Sequence, residues 1–140
     1  MAISALQTVR ATYKPKLPKS LREGMVKVTE GAKTQSVADQ AEIEKLFPNT
    51  YGMPVLAFEN GGARTTLPVV NVGVILSGGQ APGGHNVISG IFDGLKALNP
   101  ANKLYGFLGG PGGLVDHQYI ELTSSIIDEY RNTGGFDIIG

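Results

Sequence analysis

The chain has 140 residues with 12 basic and 12 acidic side chains, so its formal net charge is zero. An apolar content of 41% with so little net charge excludes disorder, and the absence of cysteine excludes disulfides, a thiolate zinc site and a Cys nucleophile. The balanced charge argues against a whole-chain polyanion binder, and no apolar run approaches the ~20 residues that span a bilayer.

Charge and glycine are unevenly spread. Residues 1–30 hold six basic and two acidic residues, whereas residues 73–140 hold three basic and six acidic. That last stretch also carries 15 of the 20 glycines. The composition therefore predicts an extension over residues 1–68, made of a basic arm, one helix and a short hairpin. An α/β domain then begins at residue 69.

In chain order, Met1 to Leu21 has no acidic residue and carries Arg10, Lys14, Lys16 and Lys19. This composition has some of the character of a transit peptide, but Pro15 and Pro18 interrupt any helix. It reads as a basic, mostly irregular arm. Tyr13 is the only aromatic of residues 10–27, so stacking on nucleic acid is not supported and a subunit contact or a solvated arm is expected. Ser36 and Asp39 have the spacing of a capping box, with Val37, Ala41, Leu46 and Phe47 as an apolar stripe and Pro48 as the stop. A turn-rich connector, Asn49 to Pro54, leads to a short strand over Val55–Phe58. Glu59-Asn60-Gly61-Gly62 reads as a hairpin turn into Thr65–Leu67.

The second half changes character. Val69 to Leu76 is a nearly continuous apolar, β-branched run, the pattern of a strand buried on both faces in a parallel sheet. Ser77 to His85 is a glycine-rich loop. Val87, Ile88, Ile91, Phe92, Leu95 and Leu98 then recur at helical spacing until Asn99-Pro100. A strand at Leu104–Leu108, a flexible loop at Gly109–Gly113 and an alternating strand at Tyr119–Thr123 follow. Ser124 is expected to cap a helix that runs through Ile126, Ile127 and Tyr130 and stops at Gly134-Gly135, with a new apolar run from Phe136 to Ile139.

Strand, glycine-rich loop, helix and strand make a βαβ unit of the doubly wound class, whose ligands sit at the carboxyl ends of the strands. Glycine lets a backbone approach a ligand and adopt positive φ, and the helix N-terminus beyond the loop favours an anion. Gly78 and Gly79 are best placed to offer N–H groups to a phosphate. The loop fits neither the Walker A pattern nor G-x-G-x-x-G, because it ends Gly-His-Asn and spaces its glycines differently.

Other polar residues carry plainer readings. His85 is expected to be a solvated loop histidine rather than a base. Asp116 and His117 read as surface residues, since a metal site needs more ligands in defined geometry. Asp128 and Glu129 are neighbours on a helix and do not face each other. Asp93 is placed on a polar helix side, and Arg131 is a cation at a helix C-terminus that could meet a phosphate. Gly90 and Gly94 share a helix face and suggest close helix–sheet packing.

Val72-Gly73-Val74-Ile75-Leu76-Ser77-Gly78-Gly79-Gln80-Ala81-Pro82-Gly83-Gly84-His85-Asn86-Val87-Ile88-Ser89-Gly90 resembles the opening strand and loop of the phosphofructokinase family. The likeness is greatest to the long, pyrophosphate-dependent type, which includes the plant beta subunits. Leu104 to Gly113 and Tyr130 to Asp137 continue it, and Ser4 to Gln7 with Pro15 to Pro18 is similar to the start of that clade. The resemblance is strong over residues 70–140 and looser before.

The resemblance implies a doubly wound, mostly parallel sheet of the phosphofructokinase type behind an irregular or helical extension. It implies phosphoryl transfer from pyrophosphate, with Mg²⁺, to the 1-hydroxyl of fructose 6-phosphate. With no cysteine a reducing compartment is the default, and a cytoplasmic location and an oligomer of like subunits are expected. Gly79, with Gly78 beside it, takes the position whose backbone nitrogen contacts the donor. The family's Gly-Gly-Asp metal segment and Thr-Ile-Asp base segment are absent from these 140 residues. The chain is therefore expected to be an N-terminal piece with no catalytic or metal residues of its own and no turnover alone. The alternatives are an ATP-dependent 6-phosphofructokinase, a non-catalytic phosphate-binding regulatory subunit, and an assembly module that docks through its basic arm. The retained glycine pair argues against the regulatory subunit.

Overall fold

The computed structural model describes residues 4–22, 25–63, 65, 67–79 and 81–140. In chain order the elements are α1 (Ala5–Thr12), α2 (Lys19–Arg22), β1 (Val26–Lys33), α3 (Gln40–Leu46), β2 (Pro54–Asn60) and β3 (Asn71–Val74). They continue with α4 (Gly84–Leu98), β4 (Lys103–Phe107), α5 (Pro111–Val115), β5 (Tyr119–Glu121) and α6 (Ser124–Tyr130). The chain is an α/β protein that divides into two compact units, one of residues 16–65 and the other of residues 1–15 with 66–140.

The smaller unit is built on an antiparallel ribbon in which Val28 pairs with Phe58 and Glu30 with Leu56. This corrects the expected hairpin into Thr65–Leu67. Thr66 lies outside the described residues, and Thr65 and Leu67 are not in a strand. The partner of β2 is instead β1, whose alternation of Val26 and Val28 with Lys27 and Thr29 is a strand pattern the arm reading passed over. The Gly61 N–H donates to Met25 O at 2.6 Å, and the Met25 N–H to Gly62 O at 3.0 Å, closing the end of the ribbon. The helix expected from Ser36 begins only at Gln40. Asp39 stands in the left-handed region at φ 53° and makes no side-chain cap. Val37 lies outside the helix and is fully exposed, and Ile43 is the half-buried residue of α3.

In the larger unit the arm is not irregular at its start. Ser4 Oγ accepts from the Gln7 N–H at 3.1 Å while Gln7 Oε1 accepts from the Ser4 N–H at 2.8 Å, a reciprocal capping box that launches α1. Asn132 Nδ2 donates to the Arg10 and Tyr13 carbonyls and satisfies the far end of α1.

The sheet has the order β3-β4-β5, with β3 and β4 parallel and β4 and β5 antiparallel. One face packs against α4 and α6 around Ile88, Phe92, Leu104, Leu122, Ile127, Ile138 and Ile139. The strand expected to be buried on both faces is shorter than its apolar run. Asn71 and Gly73 on its other face are exposed, as are Val69 and Val70 before it. On that open face Tyr105, Phe107 and Tyr119 form two edge-to-face ring contacts beside a cavity of about 320 Å³. Asn102 is fully buried and joins α4 to the start of β3: its Oδ1 accepts from the Val70 N–H at 2.8 Å and its Nδ2 donates to Leu95 O at 2.9 Å.

Two further expectations change. The glycine loop at 109–113 is half helical, because Pro111 at the first turn of α5 needs no N–H partner and has its φ preset for helix. The helix expected to reach Gly134 ends at Tyr130, with Thr123 rather than Ser124 at its N-cap. The apolar run 136–139 delivers Ile138 and Ile139 to the core. No helix among the described residues is long and apolar enough to cross a membrane.

Candidate functional site

Because β3 and β4 are parallel, the loops that follow them leave the same edge of the sheet. A third segment, residues 133–140, joins them there. The Gly83 N–H donates to Gly134 O at 2.7 Å, the His85 N–H to Gly135 O at 2.8 Å, and the Gly109 N–H to Ile139 O at 3.0 Å. The packing is close enough that a Cβ on Gly110 would lie 3.0 Å from Leu76 O, and one on Gly84 2.9 Å from Leu76 Cδ1. Three glycine-rich segments thus meet at the carboxyl ends of the two parallel strands, where α/β sheets bind ligands.

Gly78 and Gly79 lie on the open side of this meeting point. Both are exposed and have positive φ, 100° and 84°, and a Cβ on either would meet nothing within 4 Å. Among the described residues their N–H groups donate no hydrogen bond. Glycine is needed here by backbone conformation, not by crowding. The arrangement leaves two adjacent N–H groups undonated on an exposed stretch, which could serve an oxyanion. Gln80, between them and Ala81, lies outside the described residues.

The helix terminus contributes less than the sequence suggests. The N–H groups of Gly83 and His85, which an anion would use, are already bound to the Gly134 and Gly135 carbonyls. Arg131 is also committed elsewhere. Its guanidinium grips Asp93 with bonds of 2.8 and 3.0 Å and Asp128 with one of 2.9 Å. These contacts, the Asp93 hydrogen bonds first among them, hold the guanidinium above its ordinary pKa. Arg131 is therefore a clamp between α4 and α6 rather than a phosphate ligand. Asp116, His117 and Glu129 are at the surface.

His85 departs most from expectation. It is not solvated but 3% exposed, in the first turn of α4. Its Nδ1 bonds Thr133 Oγ1, its Nε2 lies 3.1 Å from the Ile138 nitrogen and 2.8 Å from Asp137 Oδ1, and its ring meets Tyr130 edge-on at 4.8 Å. Its partners lie 48 and 53 residues away along the chain, so no local spacing could have announced them. Gly90 and Gly94 are also misjudged by sequence: both are exposed, with nothing near a Cβ, so they are not a close-packing face.

No family model matches the chain. Whole curated proteins do. Over all 140 residues it is 61% identical to the pyrophosphate–fructose 6-phosphate 1-phosphotransferase of Porphyromonas gingivalis, and it covers 25% of that protein. The proteins of the same name from Entamoeba histolytica and Treponema pallidum are 48% and 46% identical over the whole chain, with 26% of each covered. The chain is similar to these proteins over its whole length. It spans about a quarter of the length of these relatives.

Proposed function

We propose that the chain carries the phosphoryl-donor cradle of a pyrophosphate–fructose 6-phosphate 1-phosphotransferase. The whole protein transfers a phosphoryl group from pyrophosphate to the 1-hydroxyl of fructose 6-phosphate, giving fructose 1,6-bisphosphate and phosphate. The observation that carries this reading is the pair of exposed, positive-φ glycines with undonated N–H groups, set at the carboxyl ends of parallel strands in a chain similar to proteins of that name. Phosphoryl transfer asks little covalent chemistry of a protein and relies on positioning and on donors aimed at developing charge. Gly78 and Gly79 would hold and orient the pyrophosphate through the backbone. The βαβ unit of β3, α4 and β4, with its second face uncovered, suits a doubly wound, mostly parallel sheet completed by more of the protein.

Mg²⁺ belongs to the proposed reaction, but the residues present do not fit it. Among the described residues no three His, Cys, Asp or Glu side chains come together, so no step is assigned to a metal here. No carboxylate is assigned as the base for the sugar hydroxyl either, and turnover by this chain alone is not expected.

The test is titration of the ¹⁵N-labelled chain with inorganic pyrophosphate, with ATP and orthophosphate as separate arms. Saturable shifts centred on the Gly78 and Gly79 amides are expected with pyrophosphate. Gly79→Ala, which strains the backbone by about 1–2 kcal/mol, should weaken binding at least tenfold. Gly62→Ala, at φ 105° and equally open, controls for strain alone and should leave binding unchanged. No shift at Gly78 and Gly79, or a response to ATP only, would overturn the reading.

A further inference from the structure

We propose that His85 is a positioning residue for the donor loop: its buried imidazole locks the end of that loop to the segment 130–138. The inference rests on reading Gly78 and Gly79 as the donor cradle.

Side-chain contacts on both ring nitrogens hold the imidazole. Nδ1 bonds Thr133 Oγ1, whose hydroxyl lies 2.6 Å from Tyr130 O, and Nε2 lies 3.1 Å from the Ile138 nitrogen and 2.8 Å from Asp137 Oδ1. The ring therefore ties the start of α4 to residues 130, 133, 137 and 138. The backbone of the same residue joins in, because the His85 N–H donates to Gly135 O and Ser89 Oγ donates to His85 O at 2.8 Å. A Cβ on Gly135 would stand 2.6 Å from His85 Cε1, so the ring fills its slot.

Position gives this lock its consequence. His85 follows Gly83 and Gly84 directly, so fixing the ring fixes the point where the donor loop enters α4. The segment it grips also accepts the Gly109 N–H through Ile139 O, so the ring couples the loops after β3 and β4. His85 does this without touching the open N–H groups of Gly78 and Gly79. The titratable groups that face the ring are Asp137 and Tyr130. Asp137 is 73% exposed and has Oδ1 2.8 Å from Nε2.

The experiment compares the wild-type chain with His85→Ala, His85→Asn and Thr133→Val. The readouts are thermal stability, the free-state Gly78 and Gly79 amide shifts, and inorganic pyrophosphate affinity. Thr133→Val, at an exposed residue where the fold is least at risk, should move the Gly78 and Gly79 amides and weaken pyrophosphate binding several-fold. His85→Ala should weaken it at least tenfold, and His85→Asn, which keeps a hydrogen-bonding group for Thr133, should recover part of that loss. Variants that lose thermal stability while keeping wild-type pyrophosphate affinity would overturn the proposal and leave the donor-loop reading intact. A wild-type chain that does not bind pyrophosphate would overturn both.

Discussion

Glycines of one sequence type do opposite things in this chain, and only their surroundings separate them. Gly113 is buried, and a Cβ there would fall 2.1 Å from the Leu108 carbonyl oxygen, a backbone atom that cannot swing aside. Gly106 is nearly as confined, by Ile139 and Leu122. Gly90 and Gly94 face open space in the middle of α4 and exact the usual helical cost of glycine. Chemical denaturation should therefore show Gly90→Ala and Gly94→Ala each stabilising the chain by about 0.5–1 kcal/mol. Gly113→Ala should lower stability by about 1–3 kcal/mol or more. Loss of stability on Gly90→Ala would mean that this helix face is covered after all. At this scale the sequence placed Gly78 and Gly79 in a loop between an apolar run and a helix, and both adopt the positive φ that glycine permits. It could not mark His85, whose neighbours are set by packing.

Among the elements, α4 and α6 are held together by burial of Ile88, Phe92 and Ile127 and by the Arg131 clamp. The bidentate grip on Asp93 has the geometry in which an ion pair contributes measurably. Asp93→Asn should cost about 1 kcal/mol, read as a lower thermal midpoint. Arg131 is held above its ordinary pKa, so its contribution is present below the usual arginine range and lost only as pH rises beyond it. Raising the pH within the working range should therefore leave the guanidinium side of this contact intact. Helix starts were the weakest part of the sequence reading. Ser4 and Gln7 form the real capping box, while the Ser36–Asp39 spacing forms none, since Asp39 turns left-handed and directs the chain elsewhere. Spacing is necessary for a cap, but the backbone angle of the residue before the helix decides whether it forms.

At the scale of the whole molecule, much apolar surface remains in contact with solvent. In the unit of residues 16–65, the ribbon of β1 and β2 presents Val26, Val28, Leu56 and Phe58 on one face, all exposed, with Phe58 at 61%. A two-stranded ribbon is marginal on its own, and a patch of this kind marks a surface that meets something else. In the other unit the aromatic face of Tyr105, Phe107 and Tyr119 is likewise open. Sedimentation velocity should show concentration-dependent association, and Phe58→Lys should reduce it. A monomer over the whole concentration range would show that these faces are tolerated by the isolated chain.

The sequence by itself determined what depends on a few adjacent residues. The apolar run around β3, the glycine loop after it, the spacing of α4 and its stop at Asn99-Pro100 all follow from local sterics and side-chain period, which act within about ten residues. The family resemblance likewise rests on contiguous strings, Val72 to Gly90 first among them. Only the tertiary structure decided which strand β2 would pair with, that residues 133–140 would join the loops after β3 and β4, and that His85 would be buried between Thr133, Asp137 and Ile138. Those outcomes depend on hydrogen-bond partners and core vacancies brought together from distant parts of the chain, and no local periodicity encodes them.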